Sequence, residues 1–201
     1  MNHWDERFKV SEYIYGEAPN EFVKSHFNQG SGRVALFAEG EGRNAVYLAS
    51  LGYSPIAYDY SKEGLKKARA LAMKHNVEID TLEIDLTQEL AVEYEAHDNA
   101  VMIFGHVHKQ HQQQLFNNLI DCVKPFGRIY FEVYAEGQLD YGTGGPKDRE
   151  MLYSLEDIKQ WVKEWPIDVV ELSEEVVERY EGDKHYGESL VIQGVLQKRS
   201  N

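Results

Sequence analysis

The 201-residue chain has one cysteine, no basic run and no apolar stretch approaching the ~20 residues of a membrane span. A single cysteine excludes an internal disulfide and fits a reducing compartment. Cys122, in "NNLIDCVKP", reads as a core residue at a helix end rather than a reactive thiol. The absence of basic clusters, with a formal charge of −13, opposes binding to nucleic acid or anionic membrane. Aromatic residues make up 12% of the chain but are spread along it, so they form no stacking platform for bases. There are no repeats and no low-complexity tracts. The opening "MNHWDERFKV" is polar and charged and does not read as a signal peptide, so the expectation is a cytoplasmic protein.

What is present is an alternation of strand and helix signals. "RVALFA" (33–38), "SPIAYDY" (54–60), "VEIDTLEIDL" (77–86), "NAVMIFG" (99–105) and "GRIYFEVYA" (127–135) read as strands. Between them, "NAVYLASLG", "KEGLKKARALAMKH" and "HQQQLFNNLIDCV" read as helices. The second starts at a Ser61 cap and sets Leu65, Ala68, Ala72 and Met73 on one face. The third closes at Lys124-Pro125. This spacing predicts βαβ units and a parallel sheet covered on both faces. A helix over 154–165, with Ser154 and Asp157 as a capping box, and two strand-like runs joined by "EGDKHYG" follow, adding an antiparallel hairpin. Two short helices precede the first strand, with a turn at "YGEAPN". The expected fold is α/β in one domain over 1–201: a helical cap (1–30), a ligand-binding core (33–135) and a substrate-side loop with hairpin (136–201).

The turn "AEGEGRNAVYLA" (38–49) carries the chemistry. Gly40 to Ala45 match G-x-G-x-x-A, and Asp59 ends the next strand. Read literally, this is a dinucleotide fingerprint: glycines for close backbone approach, a helix N-terminus for negative charge, an acidic residue for the ribose hydroxyls. Glu39 and Glu41 would repel a pyrophosphate. S-adenosylmethionine has the same adenosine but no phosphate, and it brings a sulfonium and an ammonium, which suit an acidic turn better. The competing readings are an NAD(P)-dependent oxidoreductase and a non-catalytic protein that keeps the cofactor site.

On these residues the chain resembles the class I S-adenosylmethionine-dependent methyltransferases, most of all the small tellurite-resistance and thiopurine methyltransferase type. "WDERF…YIYGEAPNEFV" is similar to their N-terminal cap, "AEGEGRNAVYLASLGY" to their first motif and "IAYDYSKEGLKKARALA" to their second strand and helix. "EIDL" (83–86), "VKPFGRIYFEVY" and "YGTGGP" (141–146) are similar to later segments. The resemblance implies a Rossmann-like three-layer sandwich with a seven-stranded, mostly parallel sheet of order 3-2-1-4-5-7-6, strand 7 antiparallel. The cofactor residues it implies are Glu39, Gly40, Gly42, Asn44, Asp59, Tyr60, Asp85 and Leu86, with Tyr15 and Gly16 closing from the cap. The motif's usual acidic residue falls on Leu36 and its first glycine on Ala38; Glu39 is the stand-in carboxylate.

Methyl transfer from a sulfonium needs alignment and exclusion of water, and a base only where the nucleophile must lose a proton. His106, in "FGHVHKQH" after the fourth strand, is expected to line the site and to orient or deprotonate a substrate. His108 and His111 read as exposed, and the spacing of the three histidines suits no metal site. Arg43 either pairs with Glu39, binds a carboxylate or lies at the surface. Trp4 reads as packing. The glycine-rich 136–152 segment reads as a lid with Tyr141 beside the substrate, and the resemblance implies that His185 faces the site. The expected partner is a small-molecule acceptor, such as a soft sulfur, selenium or tellurium nucleophile, rather than nucleic acid or membrane.

Overall fold

Alternate residues of each central strand face opposite helical layers, and this division organises the molecule. The structure, a computed structural model, describes residues 2–200. In chain order the elements are α1 (His3–Phe8), α2 (Glu21–His26), β1 (Arg33–Phe37), α3 (Arg43–Ser50), β2 (Ser54–Asp59), α4 (Lys62–Lys74), β3 (Asp80–Glu83) and β4 (His97–Ile103). Then come α5 (Lys109–Asp121), β5 (Val123–Tyr134), α6 (Leu155–Val162), β6 (Ile167–Glu181) and β7 (His185–Lys198), with two short 3₁₀ turns at Glu136–Asp140 and Arg149–Met151. The sheet order is β3-β2-β1-β4-β5-β7-β6. β1 to β5 pair in parallel, and β7 is antiparallel to both β5 and β6.

Ala35 and Phe37 of β1, Ala100 and Met102 of β4, and Ile129, Phe131 and Val133 of β5 pack against Leu115, Phe116 and Leu119 of α5 and Ile158 of α6. The intervening Val34, Leu36, Val101 and Ile103 pack against Phe22 and Val23 of α2, Ala45 and Leu48 of α3, and Leu65 of α4. A period of two on a strand produces this two-sided core. Leu36 is fully buried within it.

Several boundaries differ from expectation. The predicted first strand stops at Phe37, because Ala38 turns to φ 53°. α5 ends at Asp121, and Lys124-Pro125 lies inside β5, where the pairing with β4 slips and Phe126 adopts φ 67°. Proline is tolerated in a strand at such an irregularity. Met73 is 79% exposed, and Leu71 takes its expected place in the core. The hairpin turn is only 182–184, so His185 opens β7 instead of lying in a loop. Ser61 and Ser154 cap α4 and α6 as expected, accepting the amides of Gly64 and Asp157.

Candidate active site

The sheet order reverses between β1 and β4, and ligands of open α/β sheets bind at the carboxyl ends of strands beside such a reversal. A cleft of about 1240 Å³ opens there. The ends of β1, β2, β3, β4 and β5 supply its floor through Glu39, Asp59, Asp85, Phe104 and Tyr134. Trp4, Phe8 and Tyr15 of the N-terminal segment roof it, and Trp4 stacks on Phe8 at 5.7 Å. Ala38 (φ 53°) and Phe104 (φ 56°), just past β1 and β4, both hold the left-handed backbone. For a residue as bulky as Phe this is a strained conformation, of the kind that concentrates at functional sites.

The two glutamates of the turn have separate tasks. Glu39 Oε1 accepts the backbone N–H of Asn44 and of Ala45, each at 2.9 Å. Gly42, the N-cap residue of α3, offers no side chain, so Glu39 caps the helix from the preceding turn. Burial pushes its carboxyl up to about 7 against the pull of those amides and of Arg43. Glu41 also lines the cleft, but its oxygens are engaged: Oε1 accepts the Ile14 N–H at 2.9 Å and the other pairs with Lys67. Its charge is therefore matched, and it ties the N-terminal segment to the turn.

Asp59 Oδ2 accepts the Gly40 N–H and Oδ1 the Ser61 N–H, both at 2.8 Å. Burial raises its carboxyl to about 6. Two remaining lone-pair directions on a positioned carboxylate suit a vicinal diol. Gly40 lines the cleft, whereas Gly42 does not. A Cβ at Gly42 would lie 2.5 Å from Ala68 Cβ, so this glycine serves the packing of α3 against α4 rather than a ligand. Tyr60, Leu86, Tyr15 and Gly16 line the cleft. Asp85 does so too, its oxygens taking Thr87 N–H and O–H and the Gln88 amide, which hold the carboxyl below its usual range against partial burial. Asn44 Oδ1 accepts the Asn20 N–H at 2.9 Å, fixing the entry to α2.

Arg43 pairs with neither Glu39 nor a surface group. It meets Glu181 of β6 at 2.7 Å, and Glu181 also meets Arg179, which meets Glu132 of β5 at 2.7 Å. Asn20 donates to Glu132 and Glu181. This buried network reaches the cleft through Arg43 and was invisible in the sequence, because its members are scattered along the chain.

His106 lines the cleft, but both ring nitrogens are engaged: Nδ1 donates to Met151 O at 2.7 Å and Nε2 accepts the Tyr134 N–H at 3.2 Å. Burial pushes it down to about 4. It braces the loop after β5 and has no free nitrogen to take a proton, contrary to the expected catalytic role. His108 and His111 are exposed, and no group of three or more His, Cys, Asp or Glu is placed to hold a metal ion among the described residues. Tyr141 does not line the cleft; from that loop Leu139, Thr143, Gly144 and Lys147 do. His185 lies in the cleft wall, 4% exposed, with its ring 4.7 Å from those of Tyr15 and Phe104. Tyr134 and Phe104, not singled out from the sequence, complete this aromatic end, stacked at 4.7 Å. Their only signal was position, at the carboxyl ends of two central strands.

Residues 34–127 match the family model of a methyltransferase domain. No curated protein matches the sequence. Among solved structures, one concerning conversion of a disulfide bond into a thioacetal group during echinomycin biosynthesis is 15% identical, covers 98% of this chain and 91% of its own, and superposes with a TM-score of 0.75. TehB from Haemophilus influenzae is 18% identical over 89% of this chain, with a TM-score of 0.67; the match spans 60% of TehB. An S-adenosylmethionine-dependent methyltransferase from Clostridium acetobutylicum is 14% identical, covering 90% of this chain and 88% of that one, TM-score 0.66. The matched segment, 34–127, supplies most of the cleft floor, and the chain shares the seven-stranded fold of these structures.

Proposed function

We propose that the protein transfers the methyl group of S-adenosylmethionine to a small acceptor with a soft nucleophile, sulfur, selenium or tellurium. The observation that carries the cofactor assignment is Glu39 on the amides of Asn44 and Ala45. In a dinucleotide enzyme those amides at the helix N-terminus receive the pyrophosphate. Here a carboxylate already occupies them, which disfavours phosphate and favours a ligand carrying an ammonium. Glu39 replaces the carboxylate that Leu36, packed in the core, cannot supply.

The residues present fit the cofactor. Asp59 would hold the ribose hydroxyls, Asp85 and Leu86 the adenine, and Glu39 the amino group, with Tyr15 and Tyr60 at the rim. When bound, the cofactor supplies an electrophilic methyl on sulfur. The protein's part is to position the acceptor and exclude water: the N-terminal segment is tied down by Glu41, and Gln138 fastens the loop after β5 by donating to Thr143 Oγ1 and Gly144 O. The net charge of −13 supports a small molecule rather than a polynucleotide. The thioacetal-forming neighbour, whose chemistry is at sulfur, supports the soft acceptor. The single buried cysteine supports a cytoplasmic site of action, and no helix among the described residues is long and apolar enough to cross a membrane.

Calorimetric titration with S-adenosylhomocysteine, with Asp59→Ala and with NAD as control, tests this. Micromolar binding by the wild type, lost in the variant and absent for NAD, is expected. No binding at about 1 mM would end the methyltransferase reading and leave the fold.

A further inference from the structure

Charged side chains that leave water need partners, and the cations of this chain follow that rule with one exception. Of its 21 lysines and arginines, six are buried or half-buried: Arg7, Arg43, Lys67, Lys109, Arg179 and Lys198. Five of them meet a carboxylate: Arg43 and Arg179 meet Glu181, Lys67 meets Glu41, Lys109 meets Glu136 and Lys198 meets Glu95. Arg7, in the last turn of α1, has no ion pair and no hydrogen bond among the described residues. It lines the cleft. Its guanidinium carbon lies 5.2 Å from the centre of the Trp4 ring and 5.5 Å from that of Tyr15. The rings hold the cation but offer no oxygen to its N–H groups.

The carboxylates around Arg7 are committed elsewhere. Asp5 accepts the Ser61 hydroxyl at 2.8 Å, and Glu6 pairs with Lys9 at 2.7 Å. The positions one helical turn away, His3, Trp4, Val10 and Ser11, carry no acid. Of the acids lining the cleft, Glu39 takes the amides of α3, Glu41 takes Lys67 and Ile14, Asp59 takes Gly40 and Ser61, and Asp85 takes Thr87 and Gln88. Asp183 is exposed and pairs with no cation. Lys147 and Lys184 line the cleft too, again without a carboxylate. In a chain of net charge −13, the fold leaves three cations of one cleft unpaired.

We propose that Arg7 is a carboxylate-binding residue: its guanidinium, propped by Trp4 and Tyr15, receives the carboxylate of a ligand in the cleft, and Lys147 and Lys184 add to the positive field. A guanidinium presents paired N–H groups that match the two oxygens of a carboxylate. The identity of the ligand rests on the methyltransferase reading. Under it a carboxylate has two sources: the amino-acid end of the cofactor, beside the ammonium assigned to Glu39, and an acidic group on the acceptor. The fold sets Arg7 between the places of both. Phe8, its neighbour in α1, stands over the turn, where a Cβ on Gly40 would lie 3.1 Å from the Phe8 ring. Tyr15, against which Arg7 rests, has its ring 4.7 Å from that of His185 at the aromatic end. Arg7 makes and breaks no covalent bond; it binds and orients.

Calorimetric titration with two pairs of probes, each pair differing at the carboxylate, tests this. S-adenosylhomocysteine is set against its decarboxylated analogue, which keeps the ammonium. 4-Mercaptobenzoate is set against 4-mercaptobenzamide, with and without S-adenosylhomocysteine. In at least one pair the wild type is expected to bind the acid about tenfold more tightly, or better. Arg7→Gln is expected to erase that preference and leave the probe without a carboxylate unaffected, and Arg7→Lys to keep part of it. The pair that responds identifies the source. Having no ion pair to lose, Arg7→Gln is expected to shift Tm by no more than about 2 °C. A wild type that prefers the acid in neither pair, or an Arg7→Gln protein that keeps the preference, would overturn the proposal. Equal weakening of both members of a pair, the mark of a structural role, would overturn it too. Failure of the wild type to bind either nucleoside ends the methyltransferase reading, while the mercaptobenzoate pair titrated alone still decides on Arg7.

Discussion

Arg43 Nη2 lies 2.7 Å from Glu181 Oε2, both side chains buried. The contact joins the first residue of α3 to the last residue of β6 and so ties the hairpin to the turn at the cleft. Glu181→Gln leaves Arg43 and Arg179 short of a charge partner. Breaking a buried pair in this way costs about 3–5 kcal/mol. Chemical denaturation should show that loss, and a variant within 1 kcal/mol of the wild type would show the network to be dispensable.

Glu39 makes stability depend on pH. Its carboxyl titrates at about 7 in the fold against 4.5 as the ordinary value. The folded state therefore holds more protons between those pH values, and stability falls as pH rises through the window. Glu39→Gln keeps an oxygen for the two helix amides and removes the cost of a buried charge. It should stabilise the cofactor-free protein by of order 2–3 kcal/mol at pH 8 and by little at pH 4. Asp59, raised to about 6, leaves part of the decline in place. Melting curves at the two pH values check this.

If the cofactor's ammonium meets Glu39, binding favours the ionised carboxyl. Titration with S-adenosylhomocysteine at pH 6.5 should then release protons, read as a binding heat that varies with the buffer's ionisation enthalpy. A heat independent of buffer would place the ammonium elsewhere.

Gly42→Ala should act on stability before affinity. The residue holds φ 86° and its added Cβ would meet Ala68, so a loss of about 2–4 kcal/mol is expected. Gly40, which faces the cleft, is the glycine whose replacement should weaken cofactor binding in a protein that still folds.

Cys122 should resist thiol reagents in the native protein, because burial lifts its thiol to about 12. Labelling should appear only on denaturation; fast native labelling would contradict its place in the core.

The order of strands and helices was legible because each element carries its own period: two along β1 and β4, near 3.6 along α4 and α5. Local chemistry also marked Ser61 and Ser154 as caps and Asp59 as the residue ending the second strand. These features depend on neighbours a few residues away, so the sequence by itself determined them. Met73 and Leu71 show the limit, since two apolar residues of one helix, two positions apart, differ in which of them meets the core. The site was divided by the tertiary structure alone. Contacts between distant segments turned Glu41 toward Ile14 and Lys67, bound both nitrogens of His106, kept Tyr141 out of the cleft and set Tyr134 opposite His185. A side chain's availability for chemistry depends on which of its atoms are already bonded, and those partners lie tens of residues away in the chain.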